Sequence, residues 1–156
     1  MVISLLLLRR STVSGPAKLT DQRVGHPFQL VPHLGLGLAM RGPHGDPVRA
    51  AIAAAVAAGA RVVLTTGGTG LTPTDRTPEA TRSLLDREVP GIAEAIRAHG
   101  VVKGIPTAML SRGVAGVSGD CLVVNLPGSR GGVKDGLAVL EPVLRHAVEQ
   151  IVGSDH

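Results

Sequence analysis

Arg61-Val-Val-Leu-Thr-Thr-Gly-Gly-Thr-Gly70 passes from a short apolar run into a glycine-rich turn. The run reads as a strand buried on both faces. The turn can take backbone conformations closed to other residues and can approach a ligand closely. Upstream, Val48, Ala51, Ile52, Ala55 and Val56 recur at the spacing of one helix face. Asp46 is the expected N-cap of that helix, Pro47 its first residue and Gly59 its stop. Downstream, Thr77 is expected to cap a second helix that turns Ala80, Leu84 and Leu85 inward. Pro90 opens a third, with Ile92, Ala95 and Ile96 inward and Gly100 as its stop. Cys121–Leu126 is another buried strand. Leu137, Leu140, Val143, Leu144, Ala147, Val148 and Ile151 mark a last helical stretch, which Pro142 is expected to interrupt. Strand and helix alternate, which predicts an α/β layered fold with a largely parallel sheet.

The 156 residues suit one compact domain. Apolar residues make up 44% and charged residues 18%, which excludes a disordered chain. One Phe and no Trp or Tyr exclude the aromatic platforms that read single-stranded nucleic acid. The formal charge is +4, and its whole excess lies in residues 1–45. The remainder is balanced, so no nucleic-acid partner is expected. The single cysteine, Cys121, excludes an internal disulfide and a cysteine zinc site. It reads as a buried, inert thiol. Residues 2–8 are apolar but far shorter than the roughly 20 residues of a membrane span. Arg9 and Arg10 follow that run, whereas a signal peptide has its basic residues first. A first buried strand and a cytoplasmic location are therefore expected, with no membrane partner. Residues 10–45 are rich in Gly, Pro and His and hold no sustained period. The six histidines show no metal-ligand spacing.

Three loops carry candidate chemistry. Thr66, Gly67, Gly68, Thr69 and Gly70 follow a strand, and free N–H groups in such a turn make an anion cradle. A tight turn without a ligand has the same composition. The loop is neither a P-loop nor a dinucleotide fingerprint. Asp75 stands just beyond it. A carboxylate beside a phosphate is tolerated when a cation lies between them, as Mg²⁺ does, so Asp75 is a candidate metal residue or else a turn aspartate. The second loop, Asn125-Leu-Pro-Gly-Ser-Arg-Gly-Gly132, leads into a helix. Ser129 and the first N–H groups of that helix suit a phosphate or carboxylate. The third is Leu110-Ser-Arg-Gly113, where Arg112 can offer a fork of donors to an oxyanion.

Together these loops resemble a known family. TTGGTGLTPTDRTPEAT at residues 65–81, PTAMLSRGV at 106–114 and VNLPGS at 124–129 closely resemble the signature of the MoaB/Mog family of molybdenum-cofactor biosynthesis proteins. The resemblance covers roughly residues 46–156 and is closest to the bacterial Mog branch. It implies a three-layer α/β domain that forms homotrimers. It also implies a reaction in which ATP adenylates the terminal phosphate of molybdopterin with Mg²⁺. Residues 66–70 would be the nucleotide and phosphate cradle, and Asp75 an aspartate needed for adenylyl transfer. Ser111, Arg112, Asn125, Pro127, Gly128 and Ser129 would be pterin-side contacts. A second catalytic aspartate is implied just before the first clean helix, where either His44 or Asp46 stands.

Residues 1–45 are atypical of that family. Leu8-Arg-Arg-Ser-Thr12 stands where an acidic strand end is expected, and Ser14-Gly-Pro16 lacks its acidic lead-in. Residues 18–41 lack a recognisable amphipathic helix and second strand. A non-catalytic molybdopterin-binding module or trimeric scaffold is therefore the alternative to an adenylyltransferase.

Overall fold

The computed structural model describes residues 4–10, 34–37 and 45–153. They build one six-stranded sheet between two layers of helices. The elements run β1 (Ser4–Arg10), β2 (Leu34–Gly37), α1 (Asp46–Ala57), β3 (Val62–Thr66), α2 (Thr77–Arg82) and β4 (Arg87–Glu88). They continue with α3 (Pro90–Val102), a 3₁₀ turn (Pro106–Leu110), β5 (Ala115–Ser118), β6 (Cys121–Leu126) and α4 (Arg130–Ile151). The strand order is β2-β1-β3-β6-β5-β4.

Alternation along the central strands makes the two faces. Val63, Cys121 and Val123 point to one side, where Val48, Ile52 and Ala55 of α1 and Ala80 of α2 pack on them. Val62, Leu64, Leu122 and Val124 point to the other, against Ile96 of α3 and Leu140 and Leu144 of α4. Each such Val or Leu contributes about 1.5–3 kcal/mol when fully buried. Cys121 is a free, buried thiol, and burial pushes its pKa up to about 12.

The three-layer α/β arrangement is the expected one, and the sheet within it is mixed. Its central ladder, β3 with β6, is parallel. The four flanking ladders are antiparallel, because β5 returns to β6 by a tight turn and β1 runs against both its neighbours. The expected first strand is β1. In the stretch read as lacking a second strand, β2 forms from Leu34-Gly-Leu-Gly37. Its two glycines hide it from an apolar-pattern reading. Ser14, Gly15, Pro16 and His44 lie outside the described residues.

Several helix boundaries differ from expectation. Gly45, at φ 86°, is the N-cap of α1, and Asp46 is the first helical residue. Arg76 precedes α2, so Thr77 lies inside it. The third helix passes through Gly100 and ends at Val102, with Gly104 at φ 82° beyond it. Gly100 serves packing, since a Cβ there would stand 2.6 Å from the Cβ of Ala108. Ala93, not Ala95, faces the core. Helix α4 continues through Pro142. Pro142 is exposed and lies between Leu140 and Leu144, whose burial holds both halves to the sheet. Val143 points to solvent. Among the described residues no helix is long and apolar enough to cross a membrane.

Candidate functional site

Because β3 and β6 are parallel and adjacent, the chain leaves both at the same edge of the sheet. Thr65 pairs with Asn125 and Thr66 with Leu126, so the Gly67 and Pro127 turns start side by side. Gly67 N–H donates to Leu126 O at 3.2 Å. A Cβ on Gly128 would stand 3.1 Å from Gly67 Cα, so glycine is needed for this approach. Strand β5 runs against β6, which brings its entry segment, Ser111 to Val114, to the same edge. Open α/β sheets bind ligands outside the carboxyl ends of their strands. Here the three loops singled out in the sequence meet at that place.

Asn125 locks them together. Its Nδ2 donates to Thr65 Oγ1 and Thr81 Oγ1, each at 2.9 Å. Its Oδ1 accepts from Val114 N–H at 3.2 Å. The residue is 3% exposed and its hydrogen-bonding atoms are engaged, so it shapes the site from beneath. Arg112 braces the first loop from above. Its backbone N–H donates to Thr69 O at 2.8 Å and its Nε to Gly70 O at 2.7 Å. Its terminal nitrogens donate to Asp75 O and to Glu79. That guanidinium holds the Glu79 carboxyl below the usual carboxylate range. Arg112 therefore acts as a clamp on the loop, and its fork is directed at protein carbonyls and a carboxylate.

A cavity of about 530 Å³ opens between these loops, α3, the 3₁₀ turn and the start of α4. Thr69, Gly70, Asp75, Ser111, Pro127, Gly128 and Ser129 line it, seven of the residues expected from sequence. Thr66, Gly67 and Gly68 do not. Gly67 and Gly68 form the bend itself, at φ 90° and 65°, and Gly68 O receives Thr77 N–H at 3.1 Å. Asp46 is also outside the cavity lining. Its side chain is 97% exposed at the start of α1, beside Arg49. Ser129 caps α4, its Oγ accepting from Gly132 N–H at 3.1 Å. The first N–H groups of that helix have no partner within it.

Asp75 is the unusual group of the site. It is 4% exposed, and its Oδ2 accepts from Thr72 N–H at 3.2 Å and Thr72 Oγ1 at 2.7 Å. Its Oδ1 is buried with no hydrogen-bond partner. A buried carboxylate oxygen left unmatched on a cavity wall is a place for a donor or cation to complete. Among the described residues no cluster of three or more His, Cys, Asp or Glu could hold a metal alone. One carboxylate sharing a hydrated Mg²⁺ with phosphate oxygens fits this donor set.

The sequence reading missed two parts of the lining. Arg97, on α3, donates to Ser111 O at 3.3 Å and Gly113 O at 3.2 Å and holds the third loop against that helix. Asp135, on α4, is 8% exposed and accepts from Lys103 Nζ at 2.6 Å. That contact keeps its carboxyl below the ordinary range, and His99 lies 3.9 Å from the same oxygen. The usable signal for Asp135 was its spacing, three residues beyond Gly132 on one helix face.

Comparison with known proteins shows the family. The family described as "Probable molybdopterin binding domain" matches residues 42–146. The chain belongs to the MoaB/Mog family. The molybdenum cofactor biosynthesis bifunctional protein of Synechococcus elongatus is 46% identical over 109 residues, which is 70% of this chain and 34% of that protein. The molybdopterin adenylyltransferase of Helicobacter pylori J99 is 39% identical over 93 residues, or 60% of this chain and 52% of that one. The chain thus spans about a third to a half of these two relatives. Among solved structures, the molybdopterin biosynthesis Mog protein of Mycobacterium ulcerans is 55% identical, with a TM-score of 0.67 over 69% of this chain and 70% of that one. The molybdopterin biosynthesis enzyme MoaB of Thermus thermophilus is 52% identical, with a TM-score of 0.64 over 69% and 67%. Membership assigns the chain to a family of molybdenum-cofactor biosynthesis.

Proposed function

We propose that the chain is a molybdopterin adenylyltransferase, which binds molybdopterin and transfers AMP from ATP to its terminal phosphate. The observation that carries this reading is Asp75 Oδ1, buried without a partner on the wall of a cavity framed by glycine- and hydroxyl-rich loops. An oxygen of the molybdopterin phosphate attacks the α-phosphorus of ATP. One phosphorus–oxygen bond forms there as the bond to the departing pyrophosphate breaks. Such a displacement asks for positioning and charge neutralisation more than for a covalent partner. The hydroxyls of Thr69, Ser111 and Ser129 and the first N–H groups of α4 receive phosphate oxygens. Asp75 would hold Mg²⁺, which when bound would supply charge neutralisation among those oxygens. Thr66, Gly67, Gly68, Arg112 and Asn125 set the shape of the loops, and Pro127 and Gly128 form the wall between them. The chain acts in the cytoplasm as a homotrimer. Exposed Val102 and Met109, outside the cavity lining, offer apolar surface for association between copies.

One observation favours the second reading, a non-catalytic molybdopterin-binding module or scaffold. Asp46, assigned to catalysis by resemblance, is exposed and outside the cavity lining. Incubation with molybdopterin, Mg²⁺ and ATP separates the two. Pyrophosphate release is expected. Tight pterin binding without that release would reject the adenylyltransferase and leave the binding module. Asp75→Asn should lower turnover by roughly 10³-fold while molybdopterin affinity stays within about threefold. Equal loss of both would give Asp75 a binding or structural role.

A further inference from the structure

We infer that Asp135, held in place by Lys103, recognises the ring N–H donors of the heterocyclic substrate. The inference rests on the cavity being the molybdopterin site and assigns the second acidic group of its lining.

The cavity lining combines two chemistries. Thr69, Asp75, Ser111 and Ser129 suit phosphate and cation. Ile96, Gly100, Ile105, Ala108 and Leu110 add apolar wall. Asp75 and Asp135 are the acidic side chains of the lining, and Asp75 stands just beyond the glycine-rich loop. Ser129, the N-cap of α4, and Gly132 and Asp135 within that helix all line the cavity. The helical rise sets Asp135 about 9 Å beyond Ser129, the scale of a phosphate-bearing bicyclic ring. Between them, a Cβ on Gly132 would collide with Pro127 Cβ at 2.6 Å, so that turn offers bare backbone.

A flat ring with an amine and a ring N–H on one edge needs apolar surface for its faces and an acceptor for that edge. The apolar walls supply the first and Asp135 the second. Lys103 Nζ occupies one direction at Oδ1. A carboxylate accepts about four hydrogen bonds, so acceptor capacity remains. Lys103 also fixes the rotamer and keeps the group ionised, hence an acceptor only. A ring that presents a carbonyl where the amine should be would set oxygen against oxygen.

Fluorescence titration with a pterin monophosphate and the matching lumazine, which has an oxo group in place of the ring amine, tests this. The wild-type protein should prefer the pterin by about 10–100-fold. Asp135→Asn should bring that ratio close to one while ATP affinity stays within about threefold. An unchanged ratio in a folded Asp135→Asn protein would overturn the inference and leave Asp135 as an ion pair between α3 and α4. Should Asp135→Asn fail to fold, Lys103→Gln carries the test: a reduced ratio supports the inference and an unchanged one overturns it. A wild-type protein that binds neither compound nor molybdopterin would overturn the proposed function itself. That outcome is distinct from one in which binding persists and only the ratio is indifferent to Asp135.

Discussion

At the scale of single residues, charge and position do not by themselves tell a ligand contact from a support. Arg112 and Asn125 look like ligand-binding residues in the sequence, yet both turn their polar atoms on the protein. Arg112 clamps the Gly70 and Asp75 carbonyls, and Asn125 ties Thr65, Thr81 and Val114 together. Asn125→Ala would leave the Val114 N–H without its acceptor and two threonine hydroxyls without their donor. A buried polar group left unmatched costs about 1–3 kcal/mol. The hydroxyls can rotate toward other acceptors, so the expected loss is about 2–4 kcal/mol, read from the urea midpoint at constant slope. A loss under about 1 kcal/mol would mean that the three loops do not depend on this bracket.

At the scale of elements, legibility followed the strength of the local pattern. Helix α1 and strands β3 and β6 were readable because apolar residues recur at their proper period and turn residues bound them. Strands β4 and β5 were not, since two and four residues hold too little pattern, and β2 is half glycine. Glycine misled at the end of α3, because Gly100 answers to the 3₁₀ turn packed on it and not to the helix end. The site was legible where loops carry composition and illegible where a helix contributes one side chain, as with Asp135 and Arg97. Two glycine substitutions on α3 test the packing claim. Gly91 has nothing within 4 Å of an added Cβ, so Gly91→Ala should stabilise by roughly 0.5 kcal/mol through reduced chain entropy. Gly100→Ala should destabilise by about 1–2 kcal/mol despite the same propensity gain, because the methyl must displace Ala108. Equal effects of the two in thermal denaturation would show that α3 and the 3₁₀ turn are not in tight contact.

At the scale of the whole molecule, folding stability depends on pH at both ends of the range, and the sign differs in origin. On the acid side, Lys103 lowers the pKa of Asp135 and Arg112 that of Glu79. Both contributions are complete above the ordinary carboxylate values of 3.8 and 4.5 and fade as pH falls through the lower folded ones. On the alkaline side the group is Cys121, against the α1 layer. Its thiol ionises near 9.0 when solvated and at about 12 in the folded chain. Above pH 9.0 the unfolded chain therefore releases a proton that the folded chain keeps, and stability falls until the folded value is passed. The slope of one protein alone does not isolate the thiol. Cys121→Ala does. The variant is less stable at neutral pH because it leaves a small cavity. Its denaturation midpoint should then decline less steeply than the wild-type midpoint between pH 9.0 and about 12. Parallel declines would mean that the thiol meets water before the chain unfolds, and that the α1 face opens separately from the sheet.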